Sequence, residues 1–428
     1  MTKIDKDHVT LVKRVFYTIG ILILYRLISF VTIPGVDAKS LMKVSNSTSL
    51  TMLSMFSGGG FQTFSILSMG VTAYVTAQII VQLLQSNVIP KLTEWSKQGQ
   101  TGRNKLNQLT RWLTLILGFA QSVGVTAGIN TMSTGFLLDN SWTNYVVIGM
   151  VLTAGTFLAM WMGDQITEKG VGNGVSVIIC AGIVSRWPEL WNQLMKLINK
   201  SRVATPVLLT TLIIGLLLLV LLIVWFNNSE RRIPIQYARH ETGTGSESFL
   251  PFKVNVPGVV PIIFASSILA IPQTILMFFK NESSKIWYRV LANFFTLSTS
   301  TGVLIYGLLI IVFTYLYSSI QIEPGKLAEN FQRQEAYIPG VYPGNPTANY
   351  VQAVLNELAL PGSLFLVVIS VVPLLISNRM SPSIQLGISG SSLLIVVGVI
   401  TEMVRQIKGL VTKNEYPGFL NKEYSFKE

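Results

Sequence analysis

The chain has 428 residues, of which 50% are hydrophobic and only 12% are charged. Because soluble domains carry about 25% charged residues, this composition excludes an ordinary water-soluble enzyme. Its 32 lysines and arginines outnumber its 20 acidic residues, as expected for a membrane protein whose cytoplasmic loops collect positive charge. The single cysteine, Cys180, excludes a disulfide framework or a CxxC metal site, and the two histidines, His8 and His240, lie outside the apolar segments.

Ten apolar runs follow one another along the chain, each close to the length of about 20 residues that a membrane-spanning helix needs. They lack the polar face of a surface helix and the alternation of a strand, so we predict that all of them are spanning helices. The first run has no small-residue cleavage site after a short apolar region, which favours a span over a removable signal peptide. The runs cover residues 15–33, 62–89, 109–128, 144–162, 171–187, 207–226, 257–279, 302–321, 361–377 and 384–404.

The second run differs from the others because glycines interrupt it. It begins directly after a glycine-rich break at 58–60 and contains Gly70. Glycine lowers the cost of leaving a helical conformation. We therefore predict a short half-helix over about 62–69, followed by a full helix over about 71–88.

Charge and the number of runs predict the topology. If the N-terminus is cytoplasmic, the cytoplasmic loops hold more lysines and arginines than the outer ones, so we expect both termini inside. Five runs precede residue 200 and five follow it, which divides the chain into halves 1–200 and 201–428 that enter the membrane in opposite senses. The loops 227–256 and 318–360 are long for helix connections, and they are either partner-docking segments or solvated connectors.

The sequence contains no recognisable motif for catalysis, nucleotide binding or proton transfer. No GxxxxGK[ST] phosphate loop occurs, and the GVGNG at 170–174 follows a predicted helix, whereas a dinucleotide motif follows a strand. No relay of acidic residues or histidines lies within the runs, which disfavours a proton-coupled transporter but leaves a sodium-coupled one open. We expect no enzymatic activity, no cofactor, no metal and no nucleotide bound by this chain. The energy for any transport would come from a gradient or a partner.

Several long segments of the sequence are distinctive, namely SILSMGVTAYVTAQIIVQLL, KQGQTGRNKLNQLTR, GVGNGVSVIICAGIVSRWP, RRIPIQYAR, LPFKVNVPGVVPIIFASSI, YIPGVYPG and SSLLIVVGVITEMVRQI. Each closely resembles a segment of the SecY family, the channel subunits of the bacterial protein translocase. The likeness runs in order from about residue 15 to 420. It implies an all-α membrane protein of ten transmembrane helices, in two inverted five-helix halves around a central hourglass pore. It also implies a protein-conducting channel of the bacterial plasma membrane, which translocates unfolded secretory polypeptides and releases membrane-protein segments sideways into lipid.

The same resemblance implies roles for individual residues, which are carried over position by position. The apolar pore ring comprises Val71, Val75, Ile179, Ile183, Ile263 and Ile395. The plug, which blocks the idle channel, includes Phe61, Phe64, Ile66 and Leu67, and the polar positions of the lateral gate are Thr76, Gln82 and Asn255. Tyr342 matches a family position that docks the cytoplasmic partner, and the nearest cations in the two loops are further candidates for this docking: Arg231, Arg232, Arg239 and Arg333. An apolar ring suits a peptide pore, because it dewets when empty and holds no polar substrate.

Two departures from the family pattern bear on the function. Ala73 stands where the family often has proline, and Tyr342 replaces an arginine that the family uses to engage its motor. These departures leave two interpretations open, a housekeeping SecY and an accessory SecY that serves fewer substrates. The implied partners are SecE, SecG, and the SecA ATPase or a translating ribosome, together with signal peptides, unfolded polypeptides and membrane lipid. The rival interpretations are a secondary solute transporter with inverted repeats and, less favoured, a scaffold or insertase subunit without a pore.

Overall fold

The computed structural model describes residues 3–36, 64–85, 89–132, 135–188, 191, 205–237, 248–279, 285–297, 299–379 and 390–415. Most of these residues are helical. The helices are α1 (Lys3–Ile28), α2 (Thr72–Gln85), α3 (Pro90–Lys97), α4 (Gln100–Met132), α5 (Trp142–Lys169), α6 (Gly174–Val184), α7 (Thr205–Asn228), α8 (Val260–Phe278), α9 (Ile286–Phe295), α10 (Ser300–Gln321), α11 (Pro324–Arg333), α12 (Asn345–Arg379) and α13 (Gly390–Glu415).

Every predicted apolar run overlaps a helix, and in chain order these helices are α1, α2, α4, α5, α6, α7, α8, α10, α12 and α13. Within the described residues, four helical stretches are long and apolar enough by themselves to cross a membrane: Gln100–Thr131, Trp142–Lys169, Ser300–Arg333 and Asn345–Leu375. Others are shorter. The 11 residues of α6 span only about 16 Å at 1.5 Å per residue, and α6 ends at Val184, before the predicted end of its run.

The two long loops fold together, which the sequence did not indicate. Strands β1 (Glu230–Tyr237), β2 (Ser248–Lys253) and β3 (Ala336–Tyr337) form an antiparallel sheet in the order β2-β1-β3. Ile233 and Ile235 point from β1 into a buried cluster shared with α11 and α12. We call β1, β2, β3, α11 and the first half of α12 the sheet platform. The platform adds a small sheet to the predicted helical fold.

Helix α12 begins 16 residues before the run that predicted it, and this extension completes the platform. Its buried residues Val351, Val354, Leu355 and Leu358 recur with the spacing of one helix face and pack on the sheet. The segment therefore forms a helix because one face is apolar, although its other face is too polar for a membrane run. The region 318–360 is structured over its whole length.

The centre of the molecule is one large apolar cluster, to which α1, α2, α5, α6, α7, α8, α10, α12 and α13 contribute. The helices before residue 200 meet those after it along two seams. Helices α2 and α4 pack against α8 at the first, the α8 seam, and α1 and α6 pack against α13 at the second, the α13 seam. The cluster takes side chains from helices of both groups, including α2 and α8 of the α8 seam and α1, α6 and α13 of the α13 seam.

Candidate functional site

The six predicted ring residues lie in this central cluster, and each is at most 6% exposed. The N–H of Val75 donates to the carbonyl of Val71 at 2.9 Å, so the two valines lie one turn apart at the start of α2. Ile179 and Ile183 stand one turn apart on α6. Helices α8 and α13 supply the other two residues, Ile263 and Ile395.

The cluster has properties suited to a seal. Among the described residues, the buried polar side chains are Ser, Thr, Asn and Gln, and no charged side chain is buried. An apolar constriction without fixed charge excludes water and resists ion passage. Because the cluster contains many other buried side chains, such as Leu366 and Leu394, burial does not single out the six residues, and the ring assignment stays a prediction.

Residues 64–70, which we call the plug segment, do not form the predicted half-helix. They form successive tight turns, in which the N–H groups of Ser68 and Gly70 donate to the carbonyls of Ser65 and Leu67 at 2.9 and 2.8 Å. The helical prediction is wrong here because the backbone of the segment bonds to another part of the chain. Residues 61–63, including Phe61, lie outside the described residues.

The plug segment is anchored at one end and reaches the central cluster at the other. The N–H of Ile66 donates to the carbonyl of Val31 at 3.1 Å, and the Phe64 ring packs edge-on against Phe136 with centroids 4.9 Å apart. Phe64 is buried in a separate cluster, against which Ile66 packs, whereas Leu67 is fully buried in the central one. The segment therefore connects a peripheral anchor to the predicted ring.

Sequence analysis did not identify Gly155 on α5, which makes room for the plug segment. A Cβ at this position would lie 1.9 Å from the carbonyl oxygen of Ile66 and 2.8 Å from its carbonyl carbon. No side chain fits in that space, so glycine is required for the segment to sit against α5. The available signal was a small-residue stretch, Ala154-Gly155-Thr156, which is typical of close packing in membrane helices.

The predicted gate residues lie on or next to the two helices α2 and α8, which pack against each other. Thr76 and Gln82 are on α2, and Asn255 precedes α8. The Thr76 hydroxyl donates to the Thr72 carbonyl of its own helix at 3.0 Å, and the buried Asn255 amide donates to Asn227 Oδ1 at 3.0 Å. Within the described residues, neither Gln82 Oε1 nor Asn255 Oδ1 accepts a hydrogen bond from the protein. Leaving such an oxygen buried and unpaired costs about 1–3 kcal/mol.

The predicted docking arginines lie on the sheet platform, and each one described is paired. Arg231 bonds Glu357 at 2.7 Å, and Arg333 bonds Glu329 at 2.7 Å. The side chains of both pairs are exposed, and exposed ion pairs contribute little to stability. Replacing either pair by an ion pair with a partner would therefore cost little free energy.

Arg232 has two neighbours within the platform. It bonds Glu230 at 3.1 Å and stacks over the Phe249 ring at 4.6 Å. Tyr342, in the turn before α12, is 83% exposed. Arg239 falls outside the described residues.

The family model of SecY matches residues 65–404. The chain belongs to the SecY family. It is a multi-pass membrane protein, and the family resemblance inferred from the sequence is confirmed. Over 95% of its length, it is 58% identical to the whole of protein translocase subunit SecY 2 of Lactobacillus kefiranofaciens. SecY 1 of the same organism is 46% identical, and SecY of Bacillus subtilis is 40% identical, each over 95% of this chain and 96% of its own.

Solved structures confirm the predicted fold class. A structure described as a protein conducting channel superposes with a TM-score of 0.65 at 16% identity, covering 96% of this chain and 95% of that one. Sec61 in a canine ribosome–channel complex has a TM-score of 0.62 at 16% identity, with the same coverage. At this identity the likeness concerns the fold, which is the ten-helix channel fold of two inverted halves.

Proposed function

We propose that this chain is the protein-conducting channel subunit of a bacterial protein translocase. The observation that carries the proposal is the plug segment, whose Leu67 side chain lies in the same buried apolar cluster as all six ring positions. A buried segment that joins an apolar cluster without belonging to any of its helices is suited to act as a removable seal. Among the described residues no charged side chain is buried, which disfavours a proton-coupled transporter, whereas the translocation assay below separates the channel from a sodium-coupled one.

In the proposed cycle, the idle channel is closed by the ring and by the plug segment. A signal peptide separates α2 from α8 at the α8 seam, where Thr76, Gln82 and Asn255 line the lateral gate. The plug segment then leaves the centre, and an extended polypeptide passes through the apolar ring, which offers it no strong hydrogen bonds. Sufficiently apolar segments leave sideways through the gate into lipid.

The sheet platform is the proposed docking site of the cytoplasmic partner. It packs the two long loops into one body with a buried core, so its arginines and Tyr342 stand on a rigid support. In our proposal both chain termini lie in the cytoplasm, the channel resides in the plasma membrane, and SecE and SecG complete the complex. The motor is SecA or a ribosome, and the latter is supported by the fold similarity to a channel in a ribosome complex.

We also propose that the chain is an accessory SecY. It is 58% identical to SecY 2 and 46% identical to SecY 1 of one organism. Tyr342, which replaces the family's arginine, is exposed in the turn that joins β3 of the platform to α12. A dedicated motor that contacts a tyrosine would account for the change.

The test is translocation into proteoliposomes that contain the purified chain with SecE. A secretory precursor should become protected from protease only when SecA and ATP are added, because the energy comes from the partner. Deleting the signal peptide is the matched control and should abolish protection. Gradient-driven uptake of a small solute, without any protection of precursor, would favour the transporter instead.

A further inference from the structure

The loop between α5 and α6 contains the GVGNG sequence, and side chains of distant helices bind its backbone. The N–H of Val171 donates to Thr18 Oγ1 of α1 at 3.0 Å. The N–H of Gly172 donates to Gln406 Oε1 of α13 at 2.8 Å, across 234 residues of sequence. The loop is therefore held from two sides by groups that do not belong to it.

The glycines of the loop are required by close packing. Gly172 has a φ of +89°, which favours glycine, and a Cβ there would lie 2.9 Å from Met403 Cγ of α13. A Cβ on Gly174 would lie 1.9 Å from the Gly163 carbonyl oxygen. Helix packing thus accounts for a motif that superficially resembles a nucleotide-binding loop.

The three side chains that accept hydrogen bonds from the loop backbone come from two different groups of helices. Thr18 belongs to the same group of helices as the loop, before residue 200. Thr167 also belongs to that group, and its Oγ1 accepts from the N–H of Gly174 at 2.8 Å. Gln406 belongs to the opposite group, so its bond crosses the α13 seam. If the seam loosens, the buried N–H of Gly172 loses this acceptor.

The bond fixes the two helices that supply half of the predicted ring. Ile179 and Ile183 follow Gly172 on α6, and Ile395 precedes Gln406 on α13 by 11 residues, or about 16 Å along a helix. A contact between the loop and α13 therefore restrains how α6 and α13 meet at the constriction.

We propose that Gln406 is a positioning residue, which clasps α13 to the α5–α6 loop and so keeps the ring closed. The proposal rests on the channel function proposed above. The loss of one neutral hydrogen bond corresponds to about a five-fold shift in an equilibrium. We therefore expect Gln406→Leu to raise the resting open probability about five-fold and to improve export of a precursor with a defective signal peptide.

The experiment compares variants of the full complex in planar lipid bilayers. Thr18→Val is the matched control, because it removes a bond to the neighbouring amide within one helix group. Gln406→Glu keeps an acceptor oxygen and should behave as wild type, and Gln406→Met provides a second loss variant if the leucine variant does not fold. Ile179→Asn, which hydrates the ring, reports whether the assay detects a leaking channel.

Each outcome either supports or overturns the proposed clasp. A leak in Gln406→Leu or Gln406→Met, with tight Thr18→Val and Gln406→Glu channels, supports the clasp. Equal leaks in Thr18→Val and Gln406→Leu would assign the effect to loop stability and overturn the proposal. Tight Gln406 loss variants beside a leaking Ile179→Asn would overturn the clasp and leave the channel function intact. If Ile179→Asn is also tight, the ring assignment fails, and the clasp, which acts through the ring, fails with it; the translocation assay tests the channel function separately.

Discussion

Replacing Gly155 by alanine should dislodge the plug segment without altering any ring residue. The added methyl carbon would lie 1.9 Å from the carbonyl oxygen of Ile66, whereas real contacts are essentially never below 3.0 Å. The segment must therefore move by about 1.1 Å at this point. Such a movement strains the hydrogen bond from Ile66 to Val31, which has a length of 3.1 Å.

The size of the effect follows from the cost of overpacking. Inserting a methyl group into a packed interior costs about 1–3 kcal/mol, which corresponds to about a 5- to 150-fold shift in an equilibrium. Alanine also favours α5 by about 0.5–1 kcal/mol relative to glycine. That gain is the same whether the plug segment is seated or displaced. The whole overpacking cost therefore shifts the equilibrium of the plug segment toward its displaced position.

Single-channel recording of the resting complex measures the shift directly. Gly155→Ala should open more often than wild type, and it should export a precursor with a weakened signal peptide. Gly215→Ala on α7 is the matched control, because a Cβ there has no atom within 4 Å. If Gly155→Ala folds with wild-type yield and stays as tight as Gly215→Ala, the segment is not a movable seal and the argument from Gly155 is refuted.

Three further predictions concern the platform and the gate. Leu355→Ala, at a fully buried platform position, should destabilise the platform by about 2–5 kcal/mol, which limited proteolysis would detect; unchanged proteolysis would contradict the shared core. Asn255→Leu should lower the stability of the protein by about 1–3 kcal/mol, because it leaves Asn227 unpaired, and adding Asn227→Leu should recover most of this loss. Thermal unfolding of the wild type, both single variants and the double variant tests the prediction, and additive losses would count against the pair. Tyr342→Arg should increase translocation by a housekeeping SecA and decrease it by the cognate motor by up to about tenfold, whereas equal rates would show that Tyr342 carries no partner specificity.

The helices were predictable because each apolar run carries its own signal in length and composition. The sheet platform was not, because its strands find their partners far away in the sequence: Gln236 of β1 pairs with Tyr337 of β3. The first half of α12 did carry a local signal in the spacing of its apolar residues. Because the other face of the helix is polar, this segment is not a uniformly apolar run, and the prediction of membrane spans did not include it.

The candidate site was predictable only in part. Helix spacing places Ile179 and Ile183 on one face, but it cannot select them from the other apolar residues of the chain, and the family resemblance made that choice. The plug segment was wrongly predicted to be helical, because its backbone pairs with residues 31–33 and sequence-local patterns do not contain that contact. The space at Gly155 and the bond of Gln406 likewise depend on the packing of distant helices.

The most direct test of the central claim is to ask whether a polypeptide in transit touches the predicted ring. A secretory precursor is stalled halfway through the reconstituted complex, with a photo-crosslinker placed at Ile179, at Ile395, or at the exposed Leu217 of α7 as control. The account predicts crosslinks to the precursor from Ile179 and Ile395 and none from Leu217. Crosslinks from Leu217 alone, or equal crosslinks from all three positions, would contradict a path through the centre of the bundle.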